Sequence, residues 1–486
     1  MEYEDCLWSR RVLLQSSAGA AASLMMLTRA HAAATEPVMA RLSAYMADAG
    51  THKLPDAVSQ KSKQMILDTL AAMISGSQLP PGKVAIGFAR SSQGEKTASI
   101  AASNLLCGPI EAALVNGMLA HSDETDDTHP PSQSHPGCSV VPAALASGER
   151  FNTSGERLIR AVALGYDIGP RVTETLGKLQ YMVATHRSTH SISGTFGSAA
   201  AAGCMAGLSA AQMRWLLSYT AQSASGLASW QRDTQHIEKA YDFGGMPARN
   251  GNTAALLVQA GGTGLDDIFA GPDNFLEAFK PMNPPETLID KLGERYEILR
   301  TDVKKWTVGA PIQAPLDALL NLMRKNHFTA DQVQKVDVRV ATDEATIVDN
   351  REIPDISLQH LIAVMLVDRM VSFKSAHDLA RMKDPAVLKQ RAKVQLIRDA
   401  GLEKLMPKRV GVVEVNLAGG KMLSERVETV RGTAGNPMTR EELIAKARDL
   451  IVPVLGAGKF DRLAEKIFAL EKVQNVRELR PLIQTA

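Results

Sequence analysis

Aromatic residues are scarce in this chain of 486 residues: Phe, Trp and Tyr together make up 5%. Extended sheets rely on aromatic and β-branched side chains, so a mainly β fold is disfavoured. Ala and Gly are abundant instead, which suits closely packed helices. An excess of one charge is also missing. The 54 basic residues nearly balance 52 acidic ones, for a net charge of +2. No basic block interleaves with aromatics, so nucleic-acid binding has little support. Cysteine is limited to Cys6, Cys107, Cys138 and Cys204, with no C-x-x-C spacing. That argues against a metal knuckle and against a disulfide scaffold. Cys204, in a small-residue run, reads as a core filler, and the sequence assigns no disulfide. There is no G-x-x-x-x-G-K-[ST], no glycine fingerprint after a strand and no G-x-S-x-G. Nucleotide binding and serine-hydrolase chemistry therefore have no anchor.

What remains is an ordinary globular composition, 45% hydrophobic and 22% charged, with room for two domains. Residues 1–32 stand apart. Ser9-Arg10-Arg11-Val12-Leu13-Leu14 is a twin-arginine sequence, followed by an apolar run and by Ala30-His31-Ala32, an A-x-A cleavage site. This resembles a Tat export signal. The apolar run is too short for a permanent membrane anchor. The expectation is passage through the Tat translocase as a folded protein, and action in the periplasm.

Beyond the signal, the spacing predicts helices from Pro55 to Ser77, over 108–120 and 138–148, and from Ser154 through Ile168. Thr195 to Ala206 reads as a small-residue helix entered by a turn at Gly194. Ser209 to Gln212 is a capping box. No convincing strand alternation precedes residue 278. Near 280 the texture changes, at Pro281, Pro284 and Pro285. Val336, Val338 and Val340 then alternate with polar residues, as do Val413, Val415 and Leu417, and 423–430 returns as a hairpin strand. Helices are expected at 309–326 and 357–372, and capping boxes at Thr329–Gln332 and Thr439–Glu442. The expected fold class is mainly α: a large helical domain over 36–279, completed by 432–486, with a smaller α+β lid inserted at 280–431.

The chemistry is expected in the stretch from His121 to Gly137. It holds four carboxylates and three imidazoles between two apolar helices. Burial shifts the pKa of such groups, and shifted groups mark candidate sites. The three are His121, His129 and His135; Asp126 and Asp127 could equally orient a loop. His186 and His190 come later, then His236 with Lys239 and Arg249, then Lys304 and Lys305. Imidazoles and carboxylates suit proton transfer near neutral pH. The cations suit an anionic carboxylate substrate. A metal on Asp126, Asp127, His129 and His135 matches no strict ligand spacing, so no metal is assigned.

Asp68-Thr-Leu, Asn116-Gly117, His121 through Asp127-Thr128, His135-Pro136, Gly165-Tyr166, Gly194-Thr195-Phe196-Gly197, Met246-Pro-Ala-Arg-Asn-Gly251 and Lys304-Lys-Trp306 occur in this order. Together they resemble the MmgE/PrpD family, which includes 2-methylcitrate dehydratase, cis-aconitate decarboxylase and iminodisuccinate epimerase. The resemblance implies a cofactor-independent enzyme, usually dimeric, with a helical domain and an inserted lid. It implies catalytic roles at Glu124 (where the decarboxylase branch carries Asp), Thr128, His135, Lys304, and either His190 or His186. Asp127 is a candidate acid. A second lysine of that branch falls on Met246, and Arg249 or Lys239 stands in as its replacement. With His121 and Lys305 these complete the expected substrate-binding set. The function so implied is a carbon–oxygen lyase, a dehydratase acting on a small di- or tricarboxylate such as 2-methylcitrate. Isomerase, epimerase or decarboxylase chemistry stays open, as does a periplasmic carboxylate-binding protein without turnover.

Overall fold

The computed structural model describes residues 37–406 and 408–485. The export signal expected over 1–32 lies outside them. Among the described residues the fold is mainly helical. In chain order, α1 is Val38–Asp48, α2 Asp56–Gly76, α3 Pro80–Ser91, α4 Pro109–Ala120, α5 Gly137–Phe151, α6 Gly155–Leu176, α7 Lys178–Thr185, α8 Thr189–Ala206, α9 Ala210–Ser223 and α10 Met246–Gln259. The Ser209 capping box forms as expected. α8 begins six residues before Thr195: the Ser188 side chain caps it by accepting from the Ser191 N–H, so Gly194 is helical and not a turn.

The glycines and alanines explain the close packing around α8. A Cβ on Gly197 would lie 2.7 Å from the Gly165 carbonyl oxygen, and one on Gly169 2.3 Å from that of Ser193. Only hydrogen at these positions lets α6 and α8 approach so nearly. One two-residue pair, Ala98–Ser99 (β1) with Leu106–Cys107 (β2), interrupts the helices. It is too short to give an alternation signal.

Buried apolar side chains fall into two clusters. The first runs from Met39 to Val303 and resumes over Leu443–Ile483. The second runs from Trp306 to Val430. The second surrounds a four-stranded sheet in the order β4-β3-β5-β6. Its strands are β3 Val333–Ala341, β4 Val394–Asp399, β5 Gly411–Leu417 and β6 Met422–Val427. β3 pairs antiparallel with β5 and β5 with β6, as the alternation predicts. β4, parallel to β3, was not predicted. Its half-exposed pattern carries no clear alternation. Helices α11 Gln313–Asn326 and α12 Leu358–Asp368 cover the sheet, and α13 is the short Phe373–His377. α14 Arg440–Leu455, capped by the expected Thr439–Glu442 box, and α15 Ala457–Phe468 belong to the first cluster. Cys107, Cys138 and Cys204 are buried free thiols. No described helix is long and apolar enough to cross a membrane.

Candidate active site

The stretch between α4 and α5 is almost wholly buried. His121 is the C-cap residue of α4. Gly137, the first residue of α5, has no room for a side chain. A Cβ there would meet the Tyr166 hydroxyl at 2.6 Å and an Asp127 carboxylate oxygen at 2.8 Å. A second anchor is the π-helical turn Tyr241–Gly245 that leads into α10. Gly244 and Gly117 face each other backbone to backbone: a Cβ on either would lie within 2.4 Å of the other's carbonyl oxygen. Such turns recur at functional sites because they rotate a side chain out of helical register. Here the side chain is Phe243. His190 stacks on its ring at 3.9 Å and His121 at 4.4 Å between centroids.

Asp126 organises the imidazoles. Its two oxygens lie 2.9 Å from His121 Nδ1 and 3.3 Å from His135 Nδ1. An ionised carboxylate only accepts, so both rings carry hydrogen on Nδ1 and turn Nε2 away from it. Among the described residues, His121 Nε2 is buried without a partner, as are His190 Nδ1 and His236 Nε2. His135 lies 5.1 Å from His121 and 5.2 Å from His190, ring to ring. Its side chain keeps 11% exposure, against none for His121. Burial, with Lys304 assisting, pushes the His135 pKa down to about 4, against the pull of Asp126. Burial and then His135 hold His190 well below the usual range, and burial and then Lys239 do the same for His236. Near neutral pH these three rings are uncharged and able to accept a proton. Burial would raise the Asp126 pKa, but His121 and His135 overcome it and keep the carboxylate ionised.

Cations gather on Glu124. The Lys239 ammonium pairs with one carboxylate oxygen, and Lys304 Nζ lies 3.3 Å from the other. Lys304 Nζ also donates to the Glu124 carbonyl oxygen at 2.8 Å and stands 3.9 Å from Asp126. Burial would raise the Glu124 pKa, but Lys239 and Lys304 bring it well below the ordinary carboxylate range. Lys239, and not Arg249, is the one of the two expected cations that lies on Glu124.

The other expected site residues lie elsewhere. Asp127 points away from the imidazoles, accepting from the Tyr166 hydroxyl and from the Gly137 N–H. Burial and then Asp126 raise its pKa to about 7. Thr128 pairs through its backbone with Asp302 and lines a cavity of about 530 Å³ that also touches Arg300, Lys304, Arg409 and Arg431. Lys304 is thus common to the imidazole cluster and this cationic cavity. His186 is exposed, and its carbonyl accepts from the Ala228 N–H. Arg249 bonds its neighbour Asn250 and lies over the Tyr241 ring, apart from the cluster. Lys305 turns to Asp317 at 2.6 Å and to the Trp306 ring.

Asp126, Asp127, His129 and His135 do not converge on a common point, since His129 faces Glu297 and Asp127 faces Tyr166. Among the described residues, three other groups bring ligand atoms within 4.8 Å of one another: His121, Asp126 and Cys138; His121, Glu124 and His236; His129, Glu174 and Glu297. In the second, two ammonium groups on Glu124 compete with a cation; in the third, arginines on Glu297 do.

Some residues of the cluster were missed in the sequence. Phe243 had only the glycines after it as a signal. Trp230, 5.5 Å from His190 and edge-on to it, had none. His377 comes from the second apolar cluster's segment, with Nε2 2.9 Å from Asp123. Lys446 of α14 pairs with Asp68 at 2.6 Å and donates to the Thr125 carbonyl oxygen.

Fold and cluster together describe a helical protein with a buried set of imidazoles beside cations. The chain belongs to the MmgE/PrpD family: the model of the family's N-terminal domain matches residues 40–288 and that of its C-terminal domain residues 306–477. Among curated relatives, a cis-aconitate decarboxylase-like protein, oryM, from Aspergillus oryzae is 25% identical, covering 92% of this chain and 97% of its own. A cis-aconitate decarboxylase from Aspergillus terreus is 23% identical over 92% and 96%. The cis-aconitate decarboxylase of Homo sapiens is 25% identical over 89% and 91%.

Proposed function

We propose that the protein is a lyase for a small di- or tricarboxylate, acting by proton removal from carbon next to a carboxylate. The observation that carries this reading is the Asp126 carboxylate holding His121 and His135 by Nδ1, which leaves His135 Nε2 to act as a base, with Lys304 Nζ 3.9 Å from the same carboxylate. His135, the more exposed ring, is assigned as the base; the proton it takes passes by way of His190, 5.2 Å away, to the departing hydroxyl, which leaves as water. Lys239 and Lys304 each have three donors, of which Glu124 takes only part. The remainder bind a substrate carboxylate and stabilise the enolate-like charge that forms beside it.

Within this class, loss of water from a hydroxy acid is the first reading. Met246 stands where the decarboxylase pattern carries lysine, and Glu124 where it carries aspartate. The names of the relatives support decarboxylation as the second, in which carbon dioxide leaves in place of a proton, the cations hold the charge left behind, and carbon then takes up a proton. Incubation with citrate, 2-methylcitrate and cis-aconitate tests both. Dehydration gives a new alkene absorbance, and decarboxylation gives carbon dioxide. Thermal stabilisation by an acid without conversion would instead favour a binding protein. The twin-arginine sequence at 9–14 supports export to the periplasm, and family resemblance supports a homodimer. Cell fractionation and light scattering check these two proposals.

A further inference from the structure

The proposed reaction gives no role to His377, whose side chain is only 11% exposed. His377 ends α13, on the segment of the second apolar cluster, and reaches back to the polar stretch. Its Nδ1 lies 2.8 Å from the carbonyl oxygen of Phe373. A carbonyl oxygen only accepts, so Nδ1 carries a hydrogen. Its Nε2 lies 2.9 Å from an Asp123 carboxylate oxygen and 3.8 Å from one of Asp355. Were the ring neutral, Nε2 would be a bare lone pair set against two carboxylates. A proton on Nε2 removes that repulsion and makes an ion pair.

Asp123 is itself fixed, since its oxygens accept from the Thr125 N–H and hydroxyl. It immediately precedes Glu124, the carboxylate that gathers Lys239 and Lys304. The short helix is tied at its other end too. The Phe373 N–H donates to Asp449 of α14 at 2.8 Å, and the Phe373 ring packs on the first apolar cluster. The Phe373–His377 helix is therefore a two-point clasp, one point on α14 and one on the polar stretch.

We propose that His377 is a fixed imidazolium and a positioning residue, pinning the Asp123–Glu124 segment to the sheet unit so that Glu124 meets both lysines. The charged groups facing it are Asp123 and Asp355, with Glu124 and Lys239 beyond them. Burial works against the charge, but Asp123 and Asp355 overcome it and raise the pKa to about 9. A pKa raised on folding makes the contribution complete below the unfolded value of about 6.5 and lost as pH rises through about 9.

The test needs no substrate, so its outcome is separate from that of the proposed reaction. Side-chain ¹⁵N NMR of the full-length protein should show both His377 nitrogens protonated at pH 7.5, titrating near pH 9. Hydrogen exchange, corrected for intrinsic rates, should rise about tenfold or more over residues 121–127 in His377→Gln, and in the wild type above pH 9. His377→Lys, which keeps the charge, should recover part of the protection. A neutral His377 ring at pH 7.5 would overturn the proposal, as would unchanged exchange in His377→Gln. The wild-type titration stands even if a variant does not fold.

Discussion

His129 and His135 are six residues apart in one polar stretch, and each is set beside a buried carboxylate. His129 Nδ1 meets the Ser132 hydroxyl at 2.7 Å, and its Nε2 lies 3.3 Å from Glu297. Glu297 is held in turn by Arg295 and Arg300, each at 2.6 Å. Burial would raise its pKa, but His129 and then the arginines bring it down to about 2. His135 shares Asp126 with a second imidazole; among the described residues no arginine pairs with that carboxylate, and Lys304 Nζ stands 3.9 Å from it. Where guanidinium groups saturate the carboxylate, its charge is spent on them, and the histidine contact is a cross-link. Where the carboxylate is shared by two imidazoles, it fixes their tautomers and leaves Nε2 of His135 available for chemistry. A buried His–carboxylate contact therefore does not reveal its role until the other partners of the carboxylate are counted.

The sharpest way to break this contrast is a pair of substitutions. Asp126→Asn and His135→Asn should each lower kcat/KM on the turned-over acid by about 10²–10⁴. His129→Asn should leave it within a few-fold; comparable losses at both histidines would erase the distinction. Lys304→Met comes next. It leaves Glu124 and Asp126 with less compensation in a buried setting, at a cost of about 3–5 kcal/mol in denaturant unfolding. Glu297→Gln should destabilise by about 2–3 kcal/mol while sparing turnover, since arginines are left short of a partner.

The same substitution has a pH signature. The Glu297 pKa is depressed on folding, so its contribution is present above the unfolded value of about 4.3 and lost as pH falls through about 2. Glu297→Gln should flatten that acid limb. His135 has the opposite charge type, with its pKa lowered to about 4. Between about pH 6.5 and 4 the unfolded chain binds the extra proton, so stability rises with pH there. His135→Asn should reduce that slope, and the acid limb of wild-type kcat/KM should fall near pH 4. The smallest effects belong to Arg249→Ala, Lys305→Ala and His186→Ala, about threefold or less in turnover, because none of these side chains reaches the imidazoles.

Much of the fold was legible because its signals are local. Ser209 and Thr439 announce their helices through capping boxes, and the valines of β3 and β5 alternate at the period of a strand. β4 was hidden because half exposure on a parallel edge leaves no clean alternation. At the site, His121, His135, Glu124 and Lys304 stood out by type and density. The choice of His190 over His186 did not, because it depends on where α8 begins, and so on Ser188 as its cap. Phe243 and His377 were illegible for a different reason. Their roles come from a π turn and from a helix more than 200 residues further along, and neither leaves a pattern in sequence.

The most direct measurement is solvent exchange at carbon. The protein would be incubated in deuterium oxide with citrate, 2-methylcitrate and cis-aconitate, and deuterium beside a carboxylate followed by NMR. The expected result is incorporation, or its equivalent in released product, with wild-type protein and near-complete loss in His135→Asn. Turnover of an acid at an undiminished rate in that variant would contradict the assignment of His135 as the base.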